Sequence, residues 1–272
     1  MSELHKEDYQ EQRCLLCDEP AEVRMIPQQR IIEKMNDHMS RRDYAGAERH
    51  LLYWMEEAEL GHDERGQLML CGELVGHFRK TGNKEQAMKY AEQGLMLIDR
   101  LDFCDTMSAA TLYVNIATAC NAFDENERAI ELFQKARVIY ESSERTAPDL
   151  LGGLYNNMAL TLTDLRRYEE AAGLYEKALK IMEQAPHGAL EQAITWLNLA
   201  DLFTAAEDEE TAEAKAFDCL DKAAELLDTP SLTRDGYYAF VCEKCAPSFE
   251  YYGYFREAAD LKERAEKIYA GA

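Results

Sequence analysis

A sixfold repetition runs through the chain and constrains its fold more than any other feature. One alanine recurs in the same local setting at intervals of 40, 42, 42, 45 and 42 residues, and the position seven residues later is small in five of six copies. The first set is Ala47, Ala87, Ala129, Ala171, Ala216 and Ala258, and the second is Trp54, Gly94, Ala136, Ala178, Ala223 and Ala265. Because seven residues make about two helical turns, both positions share a helix face that a neighbouring helix can approach to about 8–10 Å.

A second amphipathic helix precedes each of these helices. In three central copies an aromatic residue, Tyr113, Tyr155 or Trp196, is followed by apolar residues spaced three, one and three apart, which is the helical period. Each unit is therefore a helix–turn–helix that cannot bury its apolar stripe alone, and the units must stack. The sequence predicts an all-α solenoid of about six repeats; an irregular all-helical bundle is the alternative. The expected segments are an N-terminal extension over 1–26 and repeats over 27–60, 67–100, 108–142, 149–184, 189–228 and 234–270.

Start signals and one insertion mark the turns between paired helices. Two capping boxes and two first-turn prolines are indicated: Asn83 with Gln86, Asp124 with Glu127, Pro27 and Pro148. The fifth interval is the longest because four residues are inserted around 207–210. We expect these residues, all acidic, to form a solvated loop.

The fourth copy resembles the tetratricopeptide repeat (TPR) signature. The matching pattern is Tyr155-x-x-Met158-Ala159-x-x-Leu162 followed by Tyr168-x-x-Ala171-x-x-x-Tyr175-x-x-Ala178. Intervals near 42, rather than the usual 34 or so, are similar to the long repeats of kinesin light chains and of bacterial peptide-binding regulators. The resemblance covers roughly residues 27–270 and implies a right-handed superhelix. It also implies that the first helix of each pair lines a concave groove for peptides or partner helices. In the first copy Met35 and Trp54 replace small residues, which suits a terminal repeat.

Three asparagines occupy one equivalent site in successive repeats. Asn115, Asn157 and Asn198 each lie two residues after the aromatic residue of the leading helix. A carboxamide can pair with both polar groups of a peptide unit, and in similar TPR proteins an asparagine at this place does so. We therefore expect these three residues to hold a peptide backbone; bonding to a neighbouring helix or to water is the alternative. Nearby residues expected on the same groove face are Thr118, Asn121, Asn156 and Asp201. Glu73 and Lys244 take the ladder position in the second and sixth repeats.

The net charge of −22 disfavours some partners. Phosphate backbones and anionic membranes are repelled by such a surface. Eleven acidic and two basic residues fall within 189–232, where they either form a solvated face or steer a basic partner. The N-terminal residues lack the apolar core of a signal peptide, and no apolar run is long enough to span a membrane, so a cytoplasmic location is expected.

Two Cys-x-x-Cys pairs have different expected roles. Cys242 and Cys245 lie at core positions of a leading helix and are predicted to be buried. Cys14 and Cys17 precede the repeats and resemble one half of a zinc ribbon, for which His5, His38 or a second chain would have to complete the ligand set. A disulfide framework is not expected in such a chain, and no cofactor is predicted.

No catalytic constellation is evident among the histidines or glycines, and Arg79-Lys80 is expected at the surface. The paired cations and asparagines of chaperone-binding TPR domains, which hold a C-terminal carboxylate, are not evident either. The last forty residues are rich in tyrosine and phenylalanine, which either seal the solenoid or form a contact surface. The sequence thus favours a non-catalytic adaptor or sensor that binds a protein or peptide. A metal- or thiol-dependent regulator acting through Cys14 and Cys17, and an oligomeric scaffold joined at its C-terminal end, are the alternatives.

Overall fold

The computed structural model describes residues 23–206 and 208–271, and all of its regular structure there is helical. The helices are Gln28–Ser40 (α1), Tyr44–Leu60 (α2), Glu64–Lys80 (α3), Lys84–Arg100 (α4), Met107–Ala122 (α5), Asn126–Ser142 (α6), Pro148–Asp164 (α7), Tyr168–Met182 (α8), Gly188–Ala206 (α9), Glu209–Leu227 (α10), Gly236–Tyr251 (α11) and Phe255–Ala270 (α12). They pack as six antiparallel pairs. The predicted all-α solenoid is confirmed.

The leading helices form the inner layer of the solenoid. Consecutive leading helices from α3 to α11 pack against one another, whereas the trailing helices pack mainly against their own partners and, from α2 to α8, against the next leading helix. A layer whose members are closer together lies on the concave side of a curved stack. The odd-numbered helices therefore line the groove.

Small residues allow this close packing. The recurring alanine is buried in all six copies, from Ala47 at 0% exposure to Ala258 at 2%. The second small position is also buried in the five copies that conserve its size, and only Trp54 in the first copy is half-exposed. Trp54 instead borders a surface cleft of about 490 Å³ between α1 and α2.

Most turns within the repeats follow one pattern that the sequence did not reveal. In five of them a residue with positive φ follows the helix, and the next amide donates to the carbonyl five residues earlier. This is the hydrogen bond of a Schellman motif. The residues with positive φ are Arg42, Gly82, Asp124, Arg166 and Gly253. Only two of the five are glycine, so the usual sequence signal for a helix end is missing in the other three.

The helix starts were predicted in part. Asn83 caps α4, accepting from the amide of Gln86 at 3.2 Å, and Pro148 opens α7, whereas Pro27 directly precedes α1. The expected capping box of Asp124 and Glu127 is wrong. Asp124 has the left-handed backbone of the turn, and Glu125 takes the cap position without a side-chain hydrogen bond.

The fifth repeat differs from expectation in its turn. The extra residues lengthen the two helices to 19 residues each, and only residues 207–208 separate α9 from α10. Residues 208–210 do not form the expected loop, because acidic residues favour a helix start. Asp208 accepts from the amide of Thr211 at 3.2 Å, and negative charge there is stabilised by the helix dipole.

The aromatic residues of the last repeat divide between core and surface. Tyr238 and Phe249 are fully buried, while Tyr251 and Phe255 are 75% and 67% exposed. On α12 the residues Ala258, Leu261 and Ala265 are turned inward. The end of the stack is thus sealed internally, with some aromatic surface left over.

The first and last repeats contact each other across the solenoid. Arg42, in the turn after α1, donates to a carboxylate oxygen of Glu243 on α11 at 2.8 Å. Its guanidinium also lies 4.3 Å from the ring centre of Tyr269 on α12. The ammonium group of Lys80 on α3 lies 5.3 Å from the ring centre of Phe240 on α11. The groove is therefore closed on itself, with its two ends side by side.

Candidate peptide-binding groove

The ladder asparagines lie on the inner layer, as their position in the leading helices requires. Asn115 on α5 donates to the carbonyl of Gly72 on α3 at 3.5 Å, and Asn198 on α9 donates to the side-chain oxygen of Asn156 on α7 at 3.1 Å. Gly72 and Asn156 are equivalent positions, each directly before the ladder position of its own repeat. Two of the three asparagines thus bond the preceding repeat in the same way.

Asn157 differs from its neighbours in the ladder. Its half-buried side chain makes no hydrogen bond to any other part of the chain that the structure describes. The equivalent partner in the preceding repeat is Val114, whose side chain carries no polar atom. The carboxamide at the centre of the ladder is accordingly available to a ligand.

The neighbouring polar residues are mostly engaged within the protein. Thr118 donates to the carbonyl of Val114 at 2.8 Å, within its own helix. Asn121 donates to Asn126 at 2.9 Å and to Asp164 of the next repeat at 2.6 Å, so both of its N–H groups are used.

Asn156 is 5% exposed, and its side-chain oxygen accepts the hydrogen bond from Asn198. The Asp201 carboxylate on α9 accepts from the Tyr252 hydroxyl at 2.9 Å, across the boundary to the sixth repeat. Desolvation raises the pKa of Asp201 above its ordinary value, against the opposing effect of that hydrogen bond. These polar residues connect successive repeats as well as lining the groove.

Charged side chains occupy both ends of the ladder. Desolvation raises the pKa of Glu73 on α3 and lowers that of Lys244 on α11. Both side chains remain in contact with solvent, so the desolvation comes from protein that surrounds them inside the closed groove. The same effect lowers the pKa of Arg79 and of Lys80 on α3.

Lys80 is exposed and Arg79 is half-buried, which agrees with the expected surface pair. Closure of the solenoid brings them opposite the last repeat, which no local pattern indicates. The only sequence signal was a charged residue at the ladder position of the second and sixth repeats.

An open cleft of about 500 Å³ adjoins the first end of the ladder, between α3 and α5. Apolar side chains of Met25, Leu68, Met69 and Phe103 line it together with Glu73 and Asn115. Gln28, Arg65, Ser108 and Thr111 also line it, so the cleft offers both apolar and polar contacts to a ligand side chain.

The proposed metal ligands Cys14, Cys17 and His5 lie outside the described residues. His38 is hydrogen-bonded to Asp43 at 2.9 Å. Within residues 23–206 and 208–271 no group of three or more His, Cys, Asp or Glu side chains is arranged to hold a metal ion.

The six cysteines in that part of the chain are free thiols, and Cys242 and Cys245 are buried as predicted. Burial raises the pKa of Cys245 to about 12, which keeps it in the unreactive thiol form. None of the helices described is both long and apolar enough to cross a bilayer.

The groove can now be compared with known proteins. Residues 150–225, which cover α7 to α10 except at their ends, match the profile of the tetratricopeptide repeat family. A search of curated protein sequences gives no match.

Three solved structures are similar in fold. NprR in complex with its cognate peptide NprX has a TM-score of 0.58 and 16% sequence identity, and the match covers 89% of this chain and 68% of that one. BtubC (BKLC) from P. vanneervenii has a TM-score of 0.51 and 20% identity, with 91% of this chain and 92% of that one covered. A variant form of a putative kinesin light chain with TPR-like repeats from Podosopora anserina has a TM-score of 0.50 and 18% identity, with 77% of this chain and 97% of that one covered. At these identities the likeness concerns the fold. Residues 150–225 are therefore identified as tetratricopeptide repeats by sequence, and the described chain as a whole is similar to these structures in fold.

Proposed function

We propose that this protein is a non-catalytic adaptor or sensor that binds an extended peptide segment along its inner layer. Asn115, Asn157 and Asn198 would hold the backbone of that peptide. The observation that carries the proposal is the central carboxamide of Asn157, which is accessible in the groove and has no hydrogen-bond partner among the described residues. A carboxamide that bonds nothing within the protein keeps both of its donors and its acceptor for a ligand or for water.

The other two asparagines keep part of their bonding capacity. A carboxamide has two N–H donors and one acceptor oxygen. Asn115 and Asn198 each use one N–H for the preceding repeat, and no group of the described chain donates to their oxygens. Each can therefore still offer a donor and an acceptor to a peptide unit.

The spacing of the ladder suggests the shape of the peptide. Packed helices lie about 8–10 Å apart, and a polyproline II segment advances about 9 Å in each turn of three residues. Such a peptide presents the same edge to each successive asparagine. A flat β-strand, with a repeat of two residues, does not match this interval. We therefore expect three ligand residues per repeat and a left-handed, extended conformation.

The similarity to NprR supports a peptide ligand, since that structure contains a cognate peptide. The likeness is one of fold, so it says nothing about the sequence of a peptide for this chain. Side-chain preference would come from local features such as the apolar cleft beside Asn115.

The sharpest test is Asn157→Ala, because no internal hydrogen bond is lost with it. A peptide would first be selected from a randomised displayed library, and its dissociation constant would then be measured by calorimetry. Losing two hydrogen bonds of one carboxamide, at about 0.5–1.5 kcal/mol each, should weaken binding roughly 5- to 150-fold, with a larger loss in the triple alanine variant.

The matched control is Asn36→Ala, at an exposed asparagine on α1 outside the ladder. Thermal unfolding of each variant would confirm that it is folded, which matters for Asn198→Ala because Asn156 is buried behind it. Unchanged affinity in Asn157→Ala and in the triple variant would rule out the ladder.

The partner would be basic if the acidic surface of the fifth repeat steers association. Among the exposed acids there are Asp218, Asp221 and Asp228 on and after α10. Steering acts on the association rate and is screened by salt. Association that slows as sodium chloride is raised from 50 to 300 mM would support a basic segment in the partner; a rate independent of salt would contradict it.

Self-association is a second candidate function, favoured by the exposed rings of Tyr251 and Phe255 on either side of the last turn. Aromatic residues are enriched at protein interfaces. Light scattering would detect a dimer whose population rises with concentration and falls in Tyr251→Ser/Phe255→Ser. A monomer at high concentration would exclude this role.

A further inference from the structure

Two histidines of the first repeat lie side by side. His38 is in the last turn of α1 and His50 is on α2, and their ring centres are 5.9 Å apart with the planes at 48°. The equivalent residues of the second repeat are Phe78 and Tyr90, buried apolar rings that stack with their centres at the same 5.9 Å. The repeat geometry therefore sets the separation, and the first repeat places two imidazoles where another repeat has core aromatics.

Each imidazole is held by one hydrogen bond to an oxygen atom. Nδ1 of His38 lies 2.9 Å from a carboxylate oxygen of Asp43, and Nε2 of His50 lies 3.1 Å from the carbonyl oxygen of Ile31. Both oxygens can only accept, so these ring nitrogens carry the proton. The other nitrogens, Nε2 of His38 and Nδ1 of His50, have no hydrogen-bond partner among the described residues. Metal-binding histidines are oriented in this way, with a carboxylate or backbone carbonyl on the second ring nitrogen.

The separation of the two rings is close to that of a zinc site. Zn²⁺ binds imidazole nitrogen at about 2.0–2.1 Å and is tetrahedral in structural sites, so two imidazoles on one ion have their centres about 5 Å apart. A small rotation of either side chain reaches this separation. Two histidines supply half of a ligand set, and the part of the chain that the structure describes contains no group of three or more such ligands.

Two further ligands are present in the sequence before residue 23. Cys14 and Cys17 have the Cys-x-x-Cys spacing of a zinc site. The described chain begins beside the C-terminal end of α2, where the amide of Arg24 donates to the carbonyl of Gly61 at 2.8 Å. His50 lies about 16 Å back along α2 from Gly61. The seven residues from Cys17 to Arg24 can span about 23–25 Å, so the cysteine pair can reach the histidines.

The cleft between α1 and α2 leaves room for this approach. It has a volume of about 490 Å³, and His50 and Trp54 line it on the side of α2. Trp54 takes a position that is small in the other repeats, and α1 packs less closely on α2 than the other leading helices pack on their partners. The ring of His50 is therefore open to a segment that enters from solvent.

We propose that His38, His50, Cys14 and Cys17 bind one zinc ion. The ligand atoms are Nε2 of His38, Nδ1 of His50 and the two sulfurs, and each thiol releases its proton when the metal binds. Zinc would hold the N-terminal extension against the first repeat, because the free energy of metal binding is available to order the chain that carries the ligands. None of the ladder asparagines takes part, so this inference does not depend on peptide binding.

X-ray absorption at the zinc edge tests the ligand set in the full-length protein. The protein would be produced with zinc in the medium, transferred to metal-free buffer and assayed by elemental analysis. We expect one zinc ion per chain, with two sulfur ligands at about 2.3 Å and two imidazole nitrogens at about 2.0–2.1 Å. A protein that retains no zinc, or zinc with four sulfur ligands or with none, would overturn the proposal.

Substitutions test each ligand, with zinc affinity measured by competition with a chromophoric chelator. The variants are His38→Ala, His50→Ala and Cys14→Ser/Cys17→Ser, and the controls, at exposed residues, are His62→Asn and Cys104→Ser. Each variant should lose at least about 100-fold in affinity, more than the loss of a residue that only orients a ligand. The controls should match the wild type, and thermal unfolding would confirm that every protein is folded. Wild-type affinity in any of the three variants would contradict the ligand set.

Asp43 is a positioning residue in this site, and its substitution tests which nitrogen of His38 binds. Asp43→Asn should weaken zinc binding by about 10–100-fold, because the carboxylate that orients the ring is lost. The matched control is Asp208→Asn, which alters the same kind of helix cap at α10, away from the histidines. Equal zinc affinities in the two variants would contradict the assignment of Nε2 of His38 as a ligand.

Discussion

Asp63, at the start of α3, connects three parts of the first two repeats through one carboxylate. It is 2% exposed and accepts the amides of Ile26 and Gly66, each at 2.9 Å. The bond to Gly66 caps α3, and the bond to Ile26 fixes the segment that enters α1. Asp43 is its equivalent at α2, where it accepts from Gly46 at 2.8 Å and from His38 but is partly exposed.

Replacing Asp63 by alanine should lower the free energy of unfolding by about 1–3 kcal/mol. The variant loses a helix cap and leaves the buried amide of Ile26 without an acceptor. Asp43→Ala should lower the free energy of unfolding by about 1 kcal/mol, because water can take the place of the lost carboxylate. Urea denaturation of both variants and of Asp63→Asn would measure this, and equal losses at the two sites would contradict the role of burial.

His77 makes stability depend on pH. Its ring is 1% exposed, its Nε2 lies 3.5 Å from Glu48, and neither ring nitrogen has a well-formed hydrogen bond within the described chain. Desolvation lowers the pKa of His77, and the attraction of Glu48 opposes this only in part. The unfolded chain therefore binds the proton more tightly than the folded protein does.

As the pH falls below about 6.5, the ordinary histidine pKa, His77 should therefore lower the free energy of unfolding. This loss should stop once the pH is below the pKa of His77 in the folded protein. His77→Phe should lose less stability between pH 7.5 and 5.5 than the wild type. His62→Asn, at an exposed histidine with positive φ, serves as the control and should follow the wild type. Guanidinium denaturation at the two pH values would measure the free energy of unfolding of each protein. Equal losses of stability in wild type and His77→Phe would exclude His77 as the cause.

At the scale of the helices, the small residues decide which face packs. On α8, Ala178 is fully buried, whereas Gly173 lies on the open side with nothing within 4 Å of an added Cβ. The sequence predicted the buried face correctly from spacing alone. It did not predict the ends of α5 and α6, since Asp124 has a left-handed backbone there in place of the expected cap.

Substitutions on the two faces of α8 should have opposite effects. Ala178→Leu should destabilise by about 1–3 kcal/mol or more through overpacking against α7, although leucine is a good helix former. Gly173→Ala should stabilise by about 0.5–1 kcal/mol, because it removes backbone freedom from the unfolded chain without a clash. Urea denaturation would measure the free energy of unfolding of both variants. An unchanged value for Ala178→Leu would mean that the helices need not approach closely at the face that carries the small residues.

At the scale of the whole molecule, a few long side chains hold the two ends together. Arg42 bonds Glu243 and stacks on Tyr269, whose hydroxyl also donates to Glu243 at 3.3 Å. Arg42 and Glu243 are both about half-exposed, and exposed ion pairs contribute only about 0–1 kcal/mol. Such a contact can open and close readily.

Reversing the charge of Arg42 should open the ring. Arg42→Glu places two carboxylates side by side, so the radius of gyration from small-angle X-ray scattering should increase. The double variant Arg42→Glu/Glu243→Arg should restore the wild-type value. An unchanged radius in the single variant would show that this contact does not hold the ends together.

The sequence alone determined the helices, their pairing and the inward face, because these depend on periodicities within about forty residues. It also identified Asn115, Asn157 and Asn198 as one position, since stacked repeats keep equivalent residues in register. Tertiary structure decided which asparagine lacks a hydrogen-bond partner. Asn115 faces the carbonyl of Gly72 and Asn198 faces the side chain of Asn156, whereas the residue equivalent to these for Asn157 is Val114, whose side chain has no polar atom. It also decided that the first repeat meets the last one, where Arg42 bonds Glu243. That contact is the sum of small rotations at every repeat boundary, and no local pattern of residues specifies the sum.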